Sequence, residues 1–167
     1  ARPAFGGIGP SQADPRTGTT VAQRLVDAGV KGVIGHLNSG TSIPASRIYD
    51  QAGIPQVSPA STNPKLTLQN FSGVFRTIAN DVQQGTGLGK YATGPLGAKR
   101  VAIIGDRTAY GQGLADETAK AVKETGGEVV AREFTTDKAT DFNAILTKIR
   151  ATNPDLVFYG GMDAQAG

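Results

Sequence analysis

Two hydroxyl-rich turns hold the side chains of this sequence that are best suited to binding a small polar molecule. Residues 38–42 (NSGTS) lie between an apolar run that ends at Ile34 and apolar residues at helical spacing that begin at Ile43. This pattern predicts a buried parallel strand that leads into a helix. The first backbone N–H groups of a helix have no intrahelical partner and favour anions, so the turn predicts a small anion site.

The second turn, residues 59–64 (PASTNP), repeats this chemistry after a second short strand predicted at residues 54–58. Adjacent strands of a parallel sheet end at the same edge, so the two turns can converge on one ligand. The simpler alternative is that Ser39, Thr41 or Ser42 only caps the helix that follows it.

Strands alternate with helices along the rest of the chain. Further strands are predicted at residues 74–78, 100–105, 128–134 and 156–159, and the first helix is expected to begin at Thr17 or Thr19. Strands separated by helices of about 10 to 15 residues predict an α/β fold with parallel sheets. The break in this pattern at residues 78–93 separates two α/β units. Three glycines in the helix predicted there would each cost about 1 kcal/mol relative to alanine.

Composition excludes several classes of protein. The 167 residues contain no cysteine and one histidine, which rules out disulfides, thiolate zinc sites and histidine clusters. The net charge of +3 comes from scattered residues with few aromatics among them, so no nucleic-acid partner is predicted. No apolar run is long enough to span a bilayer. The glycines around Gly105 lack the dinucleotide-binding spacing, and no cofactor is predicted.

Two residues in the second half of the chain follow predicted strand ends. Tyr110 stands after the strand that ends at Gly105, where a tyrosine can offer a ring and an O–H group to a cleft. Packing of this ring on its own helix is the alternative. Met162 follows a strand that ends in Gly160 and Gly161, and it suits either a core or a pliable pocket wall.

The residue pattern gives little support for catalysis. Asp106 and Asp163 follow strand ends, but they lack a histidine, cysteine or metal-spaced partner and make a weak acid–base pair. His36 precedes Ser39 in the same strand end, which is a poor geometry for a catalytic triad, so we expect a core or sheet-edge histidine. A small α/β hydrolase that uses Asp106 or Ser39 stays open as an alternative.

Six segments of the chain match one known family in their order and spacing. They are VIGHLNSGTSIPAS (33–46), VSPASTNPKLT (57–67), FRT (75–77), VAIIGDRTAYGQGLA (101–115), DFNAIL (141–146) and DLVFYGG (155–161). With these segments the chain resembles the periplasmic binding proteins for leucine, isoleucine and valine. The resemblance implies an α/β fold of parallel sheets flanked by helices, which form parts of two Rossmann-like (flavodoxin-like) lobes of a type I periplasmic binding protein. We expect an irregular leader or cloning remnant at residues 1–12, a partial first lobe at 13–80 and a partial second lobe at 81–167.

The resemblance implies a ligand site and no catalytic or metal site. In this family two lobes close over an amino acid; the first lobe holds its carboxylate and ammonium groups, and the second lines the pocket. The positions that carry over are Ser39, Ala60, Ser61 and Thr62 in the first lobe and Tyr110 and Met162 in the second.

The implied function is transport without enzymatic activity. The parent protein would capture a branched-chain amino acid in the periplasm of a Gram-negative bacterium and deliver it to an inner-membrane ABC permease. Members of the family are longer, so we expect an internal fragment with weakened or lost binding. The fragment would have an open sheet edge, which favours a homo-oligomer or a strand-exchanged dimer. An engineered or selected self-associating fragment with no ligand function stays open.

Overall fold

The computed structural model describes residues 13–166 and divides into two compact units, the first ending at Asn80 and the second beginning at Asp81. The leader predicted at residues 1–12 lies outside the described residues. Both units are built from parallel strands and flanking helices, which confirms the predicted α/β class. Within residues 13–166, no helix is long and apolar enough to cross a bilayer.

The first unit contains two helices and a three-stranded parallel sheet of order β1-β2-β3. Its core lies between the helices and one face of this sheet, and it is built from apolar side chains of α1, α2 and the strand starts. The elements are α1 (Pro15–Asp27), β1 (Val33–Ile34), α2 (Ser39–Gln51), β2 (Gln56–Ser58) and β3 (Val74–Arg76), with a 3₁₀ turn at Pro64–Leu66.

The opposite face of this sheet carries a row of apolar side chains. Ile34 pairs in register with Val57, which pairs with Phe75, so the three residues cross the sheet side by side. Their neighbours along each strand are buried or, at Arg76, half-buried, whereas Ile34 is 62% and Phe75 is 51% exposed. Because side chains alternate between the faces of a strand, this exposed row lies opposite the helices.

The strands of the first unit are shorter than predicted, since the apolar residues before them close the preceding helix. The backbone N–H of Val30 donates to Leu25 O of α1, and that of Ile54 donates to Tyr49 O of α2. Gly29 and Gly53 have φ values of +69° and +66°, which are easily reached only without a side chain.

The start of α1 also differs from the prediction. Asp14, rather than Thr17 or Thr19, is the N-cap: its carboxylate accepts a 2.7 Å hydrogen bond from the Thr17 backbone N–H. Pro15 follows as the first helical residue, where its missing N–H costs nothing and its fixed φ suits the helix.

His36 lies just after the end of β1 and is buried, as predicted. It is 3% exposed, and its Nε2 lies 3.0 Å from the hydroxyl of the fully buried Tyr49. Burial lowers the pKa of His36 and raises the pKa of Tyr49 to about 12, so both groups are neutral at physiological pH. The pair links the end of β1 to α2 without a buried charge.

The second unit has a parallel sheet of order β5-β4-β6. The central strand β4 is buried along almost its whole length, with core clusters on both sides of it. Its elements are α3 (Asp81–Thr93), β4 (Arg100–Gly105), α4 (Ala109–Glu124), β5 (Glu128–Phe134), α5 (Asn143–Ala151) and β6 (Leu156–Gly160), with a 3₁₀ turn at Asp163–Gln165.

The glycines of α3 explain how this helix packs. A Cβ on Gly85 would lie 2.5 Å from Cβ of Glu117, and one on Gly89 would lie 2.5 Å from Cβ of Ala121. The two glycines therefore let α3 approach α4 at backbone distance, which offsets their low helix propensity. Gly87 faces open space and has no such role.

This difference predicts opposite effects of two alanine substitutions in α3. Gly87→Ala should raise the free energy of unfolding by about 1 kcal/mol, because it improves helix propensity in open space. Gly89→Ala should lower it by about 1–3 kcal/mol, because the methyl group collides with α4. Urea unfolding of both variants beside the wild type measures the effects. A stabilised Gly89→Ala variant would contradict the close helix contact.

The burial of His36 predicts a pH dependence of stability. Folding lowers the pKa of His36, so at a pH near the ordinary pKa of histidine the unfolded chain binds a proton on this side chain more readily than the folded chain does. Stability should therefore fall as pH drops below about 6.5, and His36→Gln should lack this component. Urea unfolding at pH 7.5 and 5.5 compares the two proteins, and the imidazole can be followed by NMR without overlap because it is the only one. A histidine signal that titrates at its ordinary pKa would refute the interpretation.

Candidate functional site

The first turn leaves the start of α2 without a side-chain cap from the N-cap residue. Asn38 is the N-cap, and its side chain makes no capping hydrogen bond. The nearby hydroxyls do not act as ordinary caps either: Thr41 Oγ1 donates back to Asn38 O at 2.8 Å, and Ser42 Oγ lies 3.1 Å from His36 O. Ser39 is the first helical residue and is 1% exposed.

The two hydroxyl-rich turns meet at one edge of the first sheet. They follow β1 and β2, which are parallel neighbours. The backbone N–H of Asn63 in the second turn donates to Ser39 Oγ in the first, at 3.2 Å. Ser39 Oγ accepts this hydrogen bond and keeps its own proton for donation. The second turn is thus held directly beside the start of α2.

Three buried serines hold the two turns together through hydrogen bonds inside the protein. Ser58 Oγ lies 3.1 Å and Ser61 Oγ 3.2 Å from His36 O, while Ser61 Oγ is also 3.0 Å from Leu37 O. Ser42 and Ser61 share a short hydrogen bond of 2.6 Å. The Ser61 hydroxyl is therefore occupied inside the protein, and any role of Ser61 in binding would come through the shape of the loop.

Ala60 and Thr62 offer different groups at this edge. The backbone N–H of Ala60 lies 3.4 Å from Ser58 Oγ, and its methyl group carries no polar atom, so only its backbone can contact a charged ligand group. Thr62 is 4% exposed, and its hydroxyl oxygen is buried with no hydrogen-bond partner among residues 13–166. Buried hydroxyls are normally paired, so the missing partner of this one calls for an explanation.

Arg76 is a supporting residue to which the sequence pattern assigned no role. It follows the sheet register at the end of β3, and its guanidinium donates to Asn63 O at 3.1 Å and to Thr67 Oγ1 at 3.2 Å. These two hydrogen bonds tie the second turn to the end of β3. In the sequence, only the FRT triplet of the family resemblance pointed to Arg76. Arginine suits this position because its planar guanidinium group can donate to two acceptors at once.

The second unit brings Tyr110 and Met162 to one edge of its sheet. Tyr110 is the second residue of α4, which follows β4, and Met162 follows β6. Strands β4 and β6 are parallel neighbours, and the strand order reverses between them, which is where ligands of open α/β sheets bind. Both side chains are half-buried.

Burial and two buried acids affect the Tyr110 hydroxyl. Burial raises the pKa of Tyr110, and the negative charges of Asp81 and Asp106 raise it further. Both carboxylates are almost fully buried, at 0% and 1% exposure. The sequence analysis assigned no role to Asp81 and missed this electrostatic effect. A neutral phenol beside two acids favours a ligand that presents a positive or apolar group on this side.

The hydrolase alternative gains no support from the site. His36 contacts Tyr49, and the Ser39 hydroxyl contacts Asn63, so the two do not form a nucleophile–base pair. Asp106 uses one carboxylate oxygen to accept two hydrogen bonds from Thr108. Within the described part of the chain, no three His, Cys, Asp or Glu side chains are grouped closely enough to hold a metal ion.

Comparison with known proteins identifies the family of this chain. The family model described as periplasmic binding protein matches residues 9–166. The Leu/Ile/Val-binding protein homolog 1 of Brucella abortus (strain 2308) is 42% identical over 160 residues, which cover 96% of this chain and 43% of that protein. The chain thus spans less than half the length of this relative.

Solved structures show the same similarity. A leucine binding protein, LivK, from Thermotoga maritima MSB8 has a TM-score of 0.85 and 32% identity, covering 88% of this chain and 42% of that one. The branched-chain amino acid transporter substrate binding protein LivJ from Streptococcus pneumoniae, in complex with isoleucine, has a TM-score of 0.78 and 30% identity, with 89% and 42% coverage. With a family match over nearly its whole length, the chain belongs to the periplasmic binding protein family.

Proposed function

We propose that this chain is part of a solute-binding component of an ABC importer and that its ligand is a branched-chain aliphatic amino acid. Support comes from relatives named for leucine, isoleucine and valine binding and from the two hydroxyl-rich turns of the first unit. The proposal assigns the charged end of the amino acid to the first unit.

The observation that carries the proposal is the unsatisfied hydroxyl of Thr62. It is buried, it has no hydrogen-bond partner among the described residues, and the next residue, Asn63, is bonded to Ser39 at the start of α2. A buried polar group without a partner costs about 1–3 kcal/mol, and a ligand oxygen or ammonium group would remove this cost. Binding of a polar ligand group to Thr62 would therefore be favourable.

The start of α2 favours the ligand carboxylate. The positive end of the helix dipole lies there, and the N-cap side chain makes no competing bond to it. Ser39 Oγ keeps a proton that it can donate to an anion. We therefore assign the carboxylate to Ser39 and the α2 N–H groups, and the ammonium group to Thr62 Oγ1 and backbone oxygen of Ala60.

The second unit is proposed to cover the aliphatic side chain. Tyr110 contributes a neutral ring, and Met162 contributes an unbranched, adaptable apolar side chain. The parent protein would work in the periplasm without catalysing a reaction and pass its ligand to an inner-membrane permease.

Removal of the Thr62 hydroxyl tests the proposal. We expect calorimetry to detect leucine binding by the wild type and Thr62→Val to weaken it by about ten- to 150-fold, since a hydrogen bond to a charged group contributes about 1.5–3 kcal/mol. Thr62→Ser keeps the hydroxyl and should bind nearly as the wild type does.

The matched control is Thr20→Val, which makes the same change at an exposed position of α1. It should leave affinity unchanged. Equal affinities of Thr62→Val and the wild type would contradict the assigned role, and no heat with leucine, isoleucine or valine would contradict the proposed ligand. The same titration checks the expectation of weakened binding, which a micromolar or tighter dissociation constant would refute.

We also propose that the isolated chain self-associates through the exposed face of the first sheet. The row formed by Ile34, Val57 and Phe75 is flat and apolar, and β1 and β3 are the outer strands of the described sheet. A second copy that covers this row would bury large apolar side chains, each contributing about 1.5–3 kcal/mol when fully buried.

Sedimentation at tens of micromolar measures this association. The wild type should form a dimer or larger species, whereas Phe75→Lys should shift it towards the monomer. Leu68→Lys serves as the control, because Leu68 is 73% exposed and lies outside the sheet. A strictly monomeric wild type would refute the self-association.

A further inference from the structure

Ser58 and Arg76 stand side by side in the first sheet. They are the last residues of β2 and β3 and are partners in the parallel register of these strands. Ser58 is fully buried, and Arg76 is half-buried. The backbone N–H of Thr77 donates to Ser58 O at 3.2 Å, which continues the strand pairing past this point. The two side chains therefore start from a fixed position relative to each other.

Ser58 holds the beginning of the second turn. Its Oγ accepts a hydrogen bond of 3.0 Å from the backbone N–H of Ser61, and it donates to His36 O at 3.1 Å. A hydroxyl group can accept one hydrogen bond while it donates another. Ser58 therefore joins the second turn to the segment that follows β1.

Arg76 holds the end of the same turn. Its Nη1 donates to Asn63 O at 3.1 Å, and its Nη2 donates to Thr67 Oγ1 at 3.2 Å. Because the guanidinium group is planar, the spacing between these donors is constant, and Asn63 is fixed relative to Thr67. Lysine has the same charge, but its ammonium group on a flexible stem does not reproduce this fork.

Thr62 lies between these two attachment points. The residue before it, Ser61, is bonded to Ser58, and the residue after it, Asn63, is bonded to Arg76. The Thr62 hydroxyl itself has no hydrogen-bond partner among the described residues, so the backbone on either side determines where it lies. A turn that is fixed in advance spares a ligand the cost of ordering it.

We propose that Ser58 and Arg76 act together as positioning residues that fix the Thr62 hydroxyl for the ligand. The importance of Thr62 rests on the proposed function, whereas the attachment of the turn requires no ligand. Both residues act through their neighbours: Ser58 acts through Ser61, and Arg76 acts through Asn63.

Two variants each remove one attachment. Ser58→Ala deletes the acceptor of the Ser61 N–H, and Arg76→Lys keeps the positive charge but loses the planar fork. In the ligand-free protein, either change should lower the backbone NMR order parameter of Thr62 below the value of about 0.85 that is typical of rigid backbone. An unchanged order parameter in both variants would overturn the positioning role. Arg76→Lys keeps the test decisive if Ser58→Ala fails to fold.

Matched controls separate positioning from a general loss of stability. Ser46→Ala makes the same change at a fully buried serine of α2, whose Oγ donates to Ile43 O at 2.6 Å. Arg24→Lys makes the other change at an exposed position of α1. Ser46→Ala should lower stability to urea as Ser58→Ala does, but both controls should leave the Thr62 order parameter unchanged. Equal loosening of Thr62 in Ser46→Ala would overturn the proposal.

Leucine titration separates this inference from the proposed function. If the wild type binds leucine, Ser58→Ala and Arg76→Lys should each weaken binding about three- to tenfold, since the ligand must then order the turn itself. The double variant should weaken it by clearly less than the product of the two factors, because either loss already frees the turn. Unchanged affinities, or factors that multiply fully, would overturn the joint role. If the wild type binds no branched-chain amino acid, the proposed function fails, while the order parameter of Thr62 still decides whether the two residues hold the turn.

Discussion

The hydrogen bond from the Asn63 N–H to Ser39 Oγ joins two turns that are far apart in sequence, and the candidate site depends on it. The ends of parallel strands leave backbone carbonyls that need donors when they are buried. Here serine hydroxyls provide them around His36 O, so the turns are held by polar groups that are used up internally. Thr62 differs because its hydroxyl is not used in this way among the described residues. The turn is therefore held by several internal hydrogen bonds and still has one hydroxyl without a partner among the described residues.

The second unit depends on close packing between its elements rather than on hydrogen bonds between turns. Its elements approach each other at backbone distance, which the glycines of α3 and the first turn of α4 make possible. Close packing of this kind leaves little water around Asp106, so its charge acts strongly on neighbouring groups. Burial is the main reason why the pKa values of Tyr110 and Tyr159 are raised, and the charge of Asp106 adds to the effect at both tyrosines. The first unit thus offers donors for an anion, whereas the second combines apolar surface with negative charge.

Periodicity and turn chemistry predicted much of this fold. The strand of residues 100–105 is apolar along its length and is the buried centre of its sheet, as expected for a parallel strand. The predicted strand start at Ile54 was wrong, because a short apolar run does not reveal whether its first residue closes a helix or opens a strand. The N-cap at Asp14 was missed because threonines inside the first turn offered an equally plausible pattern.

The site was predictable in its outline and less so in its detail. The convergence of the two turns was predicted because neighbouring parallel strands end at the same edge of a sheet, whereas Ser39 and Thr62 were singled out as ligand residues only by the family resemblance. Which hydroxyl is occupied depends on packing, so the internal use of Ser61 could not be predicted from its residue type. The electrostatic role of Asp81 also depends on tertiary structure, since nothing in a helix cap indicates a tyrosine close by. Likewise, exposure of Ile34 could not be foreseen in an apolar strand.

The central claim is that the first unit binds the carboxylate of an amino acid at the start of α2. Backbone amide NMR tests it most directly, by comparing leucine with leucinol, which keeps the ammonium group and side chain but lacks the carboxylate. The account predicts that leucine shifts the amide signals of Ser39, Gly40 and Thr62 in a saturable manner and that leucinol leaves those of Ser39 and Gly40 unchanged. Equal shifts with both compounds, or none with leucine, would contradict it.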